Sequence, residues 1–419
     1  MVGCVRLVCS CDRYNYGDLL FPIVTQWSLF ATPGFRERYA CETYGMRRSD
    51  LSAYGALPSR SMRDLYRDAR AGDVVLLAGG ENLAQTWFVM HLTLLGPAAA
   101  GALVFGRKMF GQDFAEGFSR WRFGGRQPFP YILSPNDFDA GVRVMYNSMG
   151  GWPLRAYAPT ARTSIVSGLV KASFLSVREK ESASILRELG LAAPVHVAPD
   201  CIFLLSDMLP KDALADKASA EVKELVRESG DYVCFQCHPR YGEENRKELA
   251  RELLSLASQT GLNILLTPIG RIYSFEDDIF LHSLSGDLGN RARMLPSPAG
   301  IYDIAHALAS ARMFCGTSLH GVITALTYEI PFVPLRSADP KLANNIDSWG
   351  LGELFPRSPA NEIACHGVRS LAVDRVSLAE HAAALKNLAR ANMRRLAENV
   401  LAYEGGSRTS SVVRSKTAG

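Results

Sequence analysis

The sequence is short of net charge. Its 46 Lys and Arg nearly balance 42 Asp and Glu, leaving +4 over 419 residues. That bias is too weak for a nucleic-acid binder and fits local basic pockets for an acidic substrate. Also lacking is an unbroken apolar run fit to cross a bilayer. Phe88 to Gly106 is nineteen residues without a formal charge, but Gly96-Pro97 and Gly101 divide it, which favours two short elements over a span. No basic leader followed by an apolar stretch opens the chain, so no signal peptide is expected. The nine cysteines are odd in number, and most lie in strand-like apolar runs (Cys4, Cys9, Cys201, Cys315). They argue against a disulfide framework and for reduced thiols in a cytoplasmic protein. Cys234-Phe235-Gln236-Cys237-His238 spells a haem-attachment pattern. With no second cysteine pair and no export signal, neither haem nor metal is expected there.

What the sequence does contain is a repeated alternation of apolar strands and helices. Val2–Ser10 reads as a first strand, running through the polar loop Cys11–Asp18 into a helix over Leu19–Leu29. Val74–Ala78 reads as a strand buried on both faces, followed by Gly79-Gly80-Glu81-Asn82. Further strands are expected at Arg143–Tyr146, Ser173–Val177 and Val195–Ala198, with Gly190 closing a helix through Leu189. A second α/β series begins at Asp231: strands at Tyr232–Gln236, Asn263–Thr267, Met313–Gly316 and Ile330–Leu335, with helices between them. The spacing predicts domains at 1–208 and 209–375, a C-terminal helix at 376–404 and a disordered Ser/Thr/Gly-rich tail at 405–419.

The stretch Met313–Leu326 carries the strongest chemistry. A buried strand runs into Gly316-Thr317-Ser318 and then an apolar helix bearing His320 and Gly321. In an open α/β sheet, ligands sit beyond the carboxyl ends of strands. Two hydroxyls and free first-turn amides there suit a phosphate or carboxylate, and His320 can move a proton near neutral pH. The same residues would equally serve as a helix N-cap beside a satisfied buried histidine. Asn15 and Asp18 carry a similar choice between ligand contact and helix capping. Residues 107–131 interleave Phe110, Phe114, Phe118, Trp121, Phe123, Phe129 and Tyr131 with Arg107, Lys108, Arg120, Arg122 and Arg126. The phenylalanine stripe is expected to be core packing with the arginines solvated. The alternative is an acceptor platform that stacks on sugar rings or touches anionic headgroups.

Five motifs occur in order: Tyr14-Asn15-Tyr16-Gly17-Asp18, Leu77-Ala78-Gly79-Gly80, Ser176-Val177-Arg178-Glu179, Ala198-Pro199-Asp200 before an apolar strand, and Thr317-Ser318-Leu319-His320-Gly321 with Pro331-Phe332-Val333. In these the chain resembles the polysaccharide pyruvyl transferase family. The resemblance implies an α/β chain of two Rossmann-like domains facing across a cleft, the GT-B arrangement. It implies phosphoenolpyruvate as donor, a sugar or lipid-linked oligosaccharide as acceptor, a pyruvate ketal as product, and no cofactor or metal. In exopolysaccharide biosynthesis such an enzyme would be cytoplasmic, at or near the inner face of the membrane, with peripheral membrane contact left open.

On that footing His320 is the candidate acid or base, Arg178 supplies bidentate charge, and Asp18 is a candidate base for a sugar hydroxyl. Thr317, Ser318, the Gly321 amide, His238, Arg240 and Arg271 would hold the donor. Asn15, Asn82, Arg122 and Trp121 would face the acceptor. Some family members carry Arg where this chain has Ser318, so Arg178, Arg240 or Arg271 would have to compensate. A nucleotide-sugar glycosyltransferase of the same fold, or a non-catalytic glycan-binding member, is the alternative.

Overall fold

The computed structural model describes residues 3–272, 275–337 and 339–402; the tail from Gly405 lies outside these described residues. Seven strands form the first sheet: β1 (Gly3–Val8), β2 (Tyr39–Gly45), β3 (Arg60–Ser61), β4 (Val74–Leu77), β5 (Arg143–Met149), β6 (Phe174–Val177) and β7 (His196–Val197). Their order is β3-β2-β1-β4-β5-β6-β7, every pairing parallel. The second half adds β8 (Tyr232–Gln236), β9 (Asn263–Leu266), the two-stranded hairpin β10 (Arg271–Ile272) and β11 (Phe275–Glu276), β12 (Ala292–Met294), β13 (Met313–Gly316) and β14 (Phe332–Pro334). The second sheet runs β12-β9-β8-β13-β14, again all parallel.

In each sheet the chain winds outward one way from its first strand, then returns to the other side of it. The switch points fall between β1 and β4 and between β8 and β13. A Rossmann-like sheet opens its binding crevice at such a point, beyond the strands' carboxyl ends. The strands are continuous apolar runs because helices cover both faces: Val74–Leu77 and Met313–Cys315 are fully buried. Both halves present their carboxyl edges to one cleft, the two-domain GT-B architecture.

Backbone contacts pin the halves together around the start of the helix Tyr16–Phe30. The Tyr16 amide donates to Ile269 O, the Arg271 amide donates to Tyr14 O, and Tyr16 Oη lies 2.9 Å from Thr324 Oγ1. The long helix Arg375–Leu401 leaves the second half and packs on the first. There Asn392 Nδ2 donates to Asn147 Oδ1, and Arg143 donates to the carbonyls of Asn399 and Val400.

Two expectations fail. The apolar run Cys201–Leu205 is not a strand: it forms a 3-10 turn over Cys201–Leu204 and enters the helix Leu205–Met208. Asp200 explains this, because its carboxylate accepts the Ile202 amide and starts a turn where a strand would have needed that amide for pairing. The phenylalanine stripe is not core either. Phe110, Phe114 and Phe118 are exposed and stack on one another along two helices, Pro97–Phe110 and Gln112–Phe123. The uncharged segment Phe88–Gly106 is divided as expected, between the helix Trp87–Leu92 and the one starting at Pro97. Among the described residues no helix is long and apolar enough to cross a membrane.

Candidate active site

The cleft is a cavity of about 540 Å³, in the range that holds small-molecule ligands. Its walls come from loops at strand ends: Ser10, Arg13, Asn15 and Asp18 after β1, Glu81 and Asn82 after β4, and Arg178 after β6. The second half supplies Gln236, His238 and Arg240 after β8, Thr317, Ser318 and His320 after β13, and Ser337, Asp339 and Lys341 after β14.

His320 sits where the halves meet. The helix Leu319–Thr327 follows β13 directly and is capped by Ser318, whose Oγ accepts the Gly321 amide at 3.1 Å. The imidazole therefore projects from the first turn onto Gly17 of the other half. A Cβ built on Gly17 would lie 1.8 Å from His320 Nδ1, so only glycine leaves room for the ring. Phe21 meets the same ring edge-on at 5.4 Å, and Phe21 in turn lies against Gly79, whose Cβ would approach it to 2.4 Å. Gly79 also has φ +137°, a conformation that favours glycine. Two glycine motifs far apart in sequence thus seat one imidazole. Its Nε2 is buried with no hydrogen-bond partner among the described residues, 3.8 Å from Asp200 Oδ2.

Asp18 opens the cleft's other flank, in the first turn of Tyr16–Phe30. Burial raises its carboxyl above the usual range, and the charges of His320, Arg13, Lys341 and Arg178 pull it partly back. A carboxyl raised by burial and lying in the field of a histidine is suited to proton transfer. Glu81 is raised for the same reason, burial first. Arg178 opposes the shift and neighbouring Glu179 adds to it. Glu81 Oε1 has no partner among the described residues.

Arg178 departs from its expected role. It is 1% exposed, with Nη2 2.6 Å from Glu81, Nε 3.1 Å from Glu179 and Nη1 3.6 Å from Asp200. Three carboxylates occupy its fork, so it positions Glu81 in the cleft wall and Asp200 beside His320 and is not a spare clamp for substrate. The Gly321 amide is likewise taken, by Ser318. Gly321 serves packing instead, since a Cβ there would lie 2.4 Å from the Phe314 ring. Thr317 Oγ1 donates to Gln236 Oε1 and accepts the His238 amide, which braces the neighbouring strand ends. Arg271 points away on the hairpin and pairs with Asp278 at 3.3 Å. Trp121 and Arg122 lie outside the cleft lining, because their helix packs against the outer side of Trp87–Leu92.

Asn15, Asp18, Asn82, His238, Arg240, Thr317, Ser318 and His320 are all brought to the cleft. Burial and the cations Lys341 and Arg240 lower the His238 imidazole; Arg240 itself pairs with Glu244 at 3.1 Å. Absent from the sequence reading as site residues are Arg13, Glu81, Asp277 and the pair Asp339–Lys341, 3.0 Å apart. Burial tends to raise Asp339, but Lys341 overrides it and the net shift is downward. Asp277 is buried, and burial pushes it up to about 7, although its Oδ2 accepts from Gln236 Nε2 and from the amides of Ile269 and Gly270. The position of Lys341 just after a strand-end loop was a usable signal; nothing local marked Asp277.

Solved structures share the architecture end to end. A UDP-N-acetylglucosamine 2-epimerase from Rickettsia bellii superposes with a TM-score of 0.55 at 12% identity, covering 96% of this chain and 97% of that one. The UDP-GlcNAc 2-epimerase from Neisseria meningitidis gives 0.54 at 9% identity, covering 96% and 100%. The N-terminal domain of trehalose-6-phosphate phosphatase from Candida albicans gives 0.51 at 9%, covering 96% and 97%. At these identities the likeness establishes the fold alone. No curated protein sequence matches the chain significantly. A family model does: from the helix before β6, through the Arg178–Asp200 network and the whole of the second sheet, residues 162–339 match the polysaccharide pyruvyl transferases, a family of transferases.

Proposed function

We propose that the cleft binds phosphoenolpyruvate and a sugar and joins them as a pyruvate ketal, releasing phosphate. The observation that carries this reading is the meeting of His320 and Asp18 from opposite halves. One is an imidazole with an unsatisfied Nε2 and the other a carboxyl raised by burial. Ketal formation needs both a donor and an acceptor of protons. A proton goes to the donor's methylene carbon, turning it into a methyl group, while the first sugar hydroxyl loses its proton and bonds to the neighbouring carbon. The second hydroxyl then bonds to that carbon as its bond to the phosphate oxygen breaks, and its proton leaves with the phosphate. In this reading His320 delivers the carbon-bound proton and Asp18 takes one from a hydroxyl. Lys341, His238 and Arg240, on the second half's strand-end loops, oppose the donor's negative charge. The reaction so written requires no metal or organic cofactor.

The test is incubation with labelled phosphoenolpyruvate and a panel of synthetic and lipid-linked glycosides, read by mass for pyruvate gain and by phosphate release. Wild type is expected to transfer, and His320→Ala and Asp18→Asn to transfer at least about 100-fold more slowly. Thermal stabilisation by a nucleoside diphosphate, with none by phosphoenolpyruvate, would overturn the reading in favour of a nucleotide-sugar transferase.

A further inference from the structure

The helical pair Pro97–Phe110 and Gln112–Phe123 presents a face that the cleft chemistry does not use. All five exposed Phe and Trp side chains among the described residues lie on it: Phe105, Phe110, Phe114, Phe118 and Trp121, with Phe110 67% and Trp121 68% exposed. Met109 lies beside them, also exposed. The helix Pro97–Phe110 buries only Ala100 among its fourteen residues. Helices of that length hold their shape mainly through a covered apolar face, and here most of the apolar surface is turned outward. The two helices and the residue between them, 97–123, also hold four Lys or Arg against two Asp or Glu, a net +2 of the chain's +4. Of the two acids, Glu116 is engaged inward, accepting the Phe88 amide and the Gln112 side chain. Lys108 and Arg120 make no ion pair among the described residues.

We propose that this face docks on a bilayer containing anionic phospholipid. Aromatic rings with interleaved Arg and Lys suit the boundary between headgroups and acyl chains: the rings enter the boundary while the cations meet lipid phosphates. The same charge argues against a second copy of the chain, because a two-fold contact would set this excess of positive charge against itself. The face is continuous with the cleft. It packs on the helix Trp87–Leu92, whose Val89 and Met90 line the cavity, and Arg13 donates to Met90 O from the cavity side. Docking there holds the cleft mouth near the lipid surface, where an acceptor carried on a lipid would be presented. That last clause rests on the proposed transfer reaction; the docking itself rests on the exposed face.

The full chain is sedimented with vesicles of phosphatidylcholine alone and of phosphatidylcholine mixed with phosphatidylglycerol, at low and high salt. Transfer to a soluble glycoside is measured in parallel. Wild type is expected to bind the mixed vesicles, release with salt, and ignore phosphatidylcholine alone. Phe105→Ser/Phe110→Ser and Lys108→Glu/Arg120→Glu, all at exposed positions, are each expected to bind at least about tenfold more weakly, with melting temperature and transfer to the soluble glycoside unchanged. Wild type that ignores mixed vesicles, or variants that bind them equally, overturns the docking proposal while leaving any measured transfer intact. A wild-type dimer dissociated by Phe105→Ser/Phe110→Ser also overturns it, assigning the face to a second copy. Vesicle binding in a chain that transfers nothing refutes the reaction alone and supports the docking face.

Discussion

Gly17→Ala isolates the seat of the imidazole. Gly17 lies inside a helix at ordinary helical geometry, so alanine should help the helix by up to about 1 kcal/mol. Yet its methyl group would stand 1.8 Å from Nδ1, 2.2 Å from Cγ and 2.3 Å from Cε1 of His320, where ordinary contact begins near 3.4 Å. Restoring contact distance requires the ring to retreat by about 1.5 Å. Phe21 blocks one direction of retreat, so the ring must leave its present seat by another. Misplacement on the ångström scale can cost about 100-fold in rate, and overpacking of this kind costs about 1–3 kcal/mol. The expected variant is therefore folded, within about 2 kcal/mol of wild type by urea unfolding, with kcat down about 100-fold. Combined with His320→Ala, Gly17→Ala should lower kcat no further, since its target is gone. A Gly17→Ala enzyme within about threefold of wild-type kcat, or equal losses in both backgrounds, would refute the seating argument.

Asp277 predicts a pH effect. Its folded value of about 7 lies above the unfolded 3.8. The stability it lends is therefore complete below pH 3.8 and is lost as pH rises through 7. Asp277→Asn keeps an acceptor oxygen for the three donors and lacks that loss. Urea unfolding at several pH values should show the variant gaining on wild type between pH 4 and 7, by up to about 4 kcal/mol. A flat difference would count against it. Arg178→Met should destabilise by about 3–5 kcal/mol, because three carboxylates lose their shared cation; a melting temperature equal to wild type would contradict this. Ser318→Ala removes the cap beneath His320 and should cost about 1 kcal/mol in urea unfolding. An unchanged midpoint would mean that the Gly321 amide finds another acceptor.

Much of this molecule was legible in its residues. The strands at Tyr232–Gln236 and Met313–Gly316 follow the sequence pattern residue for residue, because apolar patterning and packing agree there. Residues 39–68 gave no such signal: β2 alternates weakly and β3 has two residues, set in place by pairing with β1 and β2. Three of the five ordered motifs supply residues that line the cleft, and Gly79 and Asp200 of the other two stand behind it, against Phe21 and Arg178. What they hid was the division of labour. Arg178 looked like a substrate clamp because its carboxylate partners come from positions 81, 179 and 200. At Gly316–Gly321 both readings of the sequence hold in part: Ser318 caps the helix through the Gly321 amide, while His320 Nε2 has no partner among the described residues. Phe110, Phe114 and Phe118 followed a core-like spacing on a helix pair that turns its apolar side outward.

The segment Tyr14–Asp18 has a consequence for motion. Its backbone is stitched to Ile269 and Arg271, its tyrosine reaches Thr324, and its glycine floor carries His320. Any swing that parts the two lobes must unpick those stitches and lift the ring off its floor at once. A gaping conformer would then be chemically disarmed by the same movement that lets solvent in.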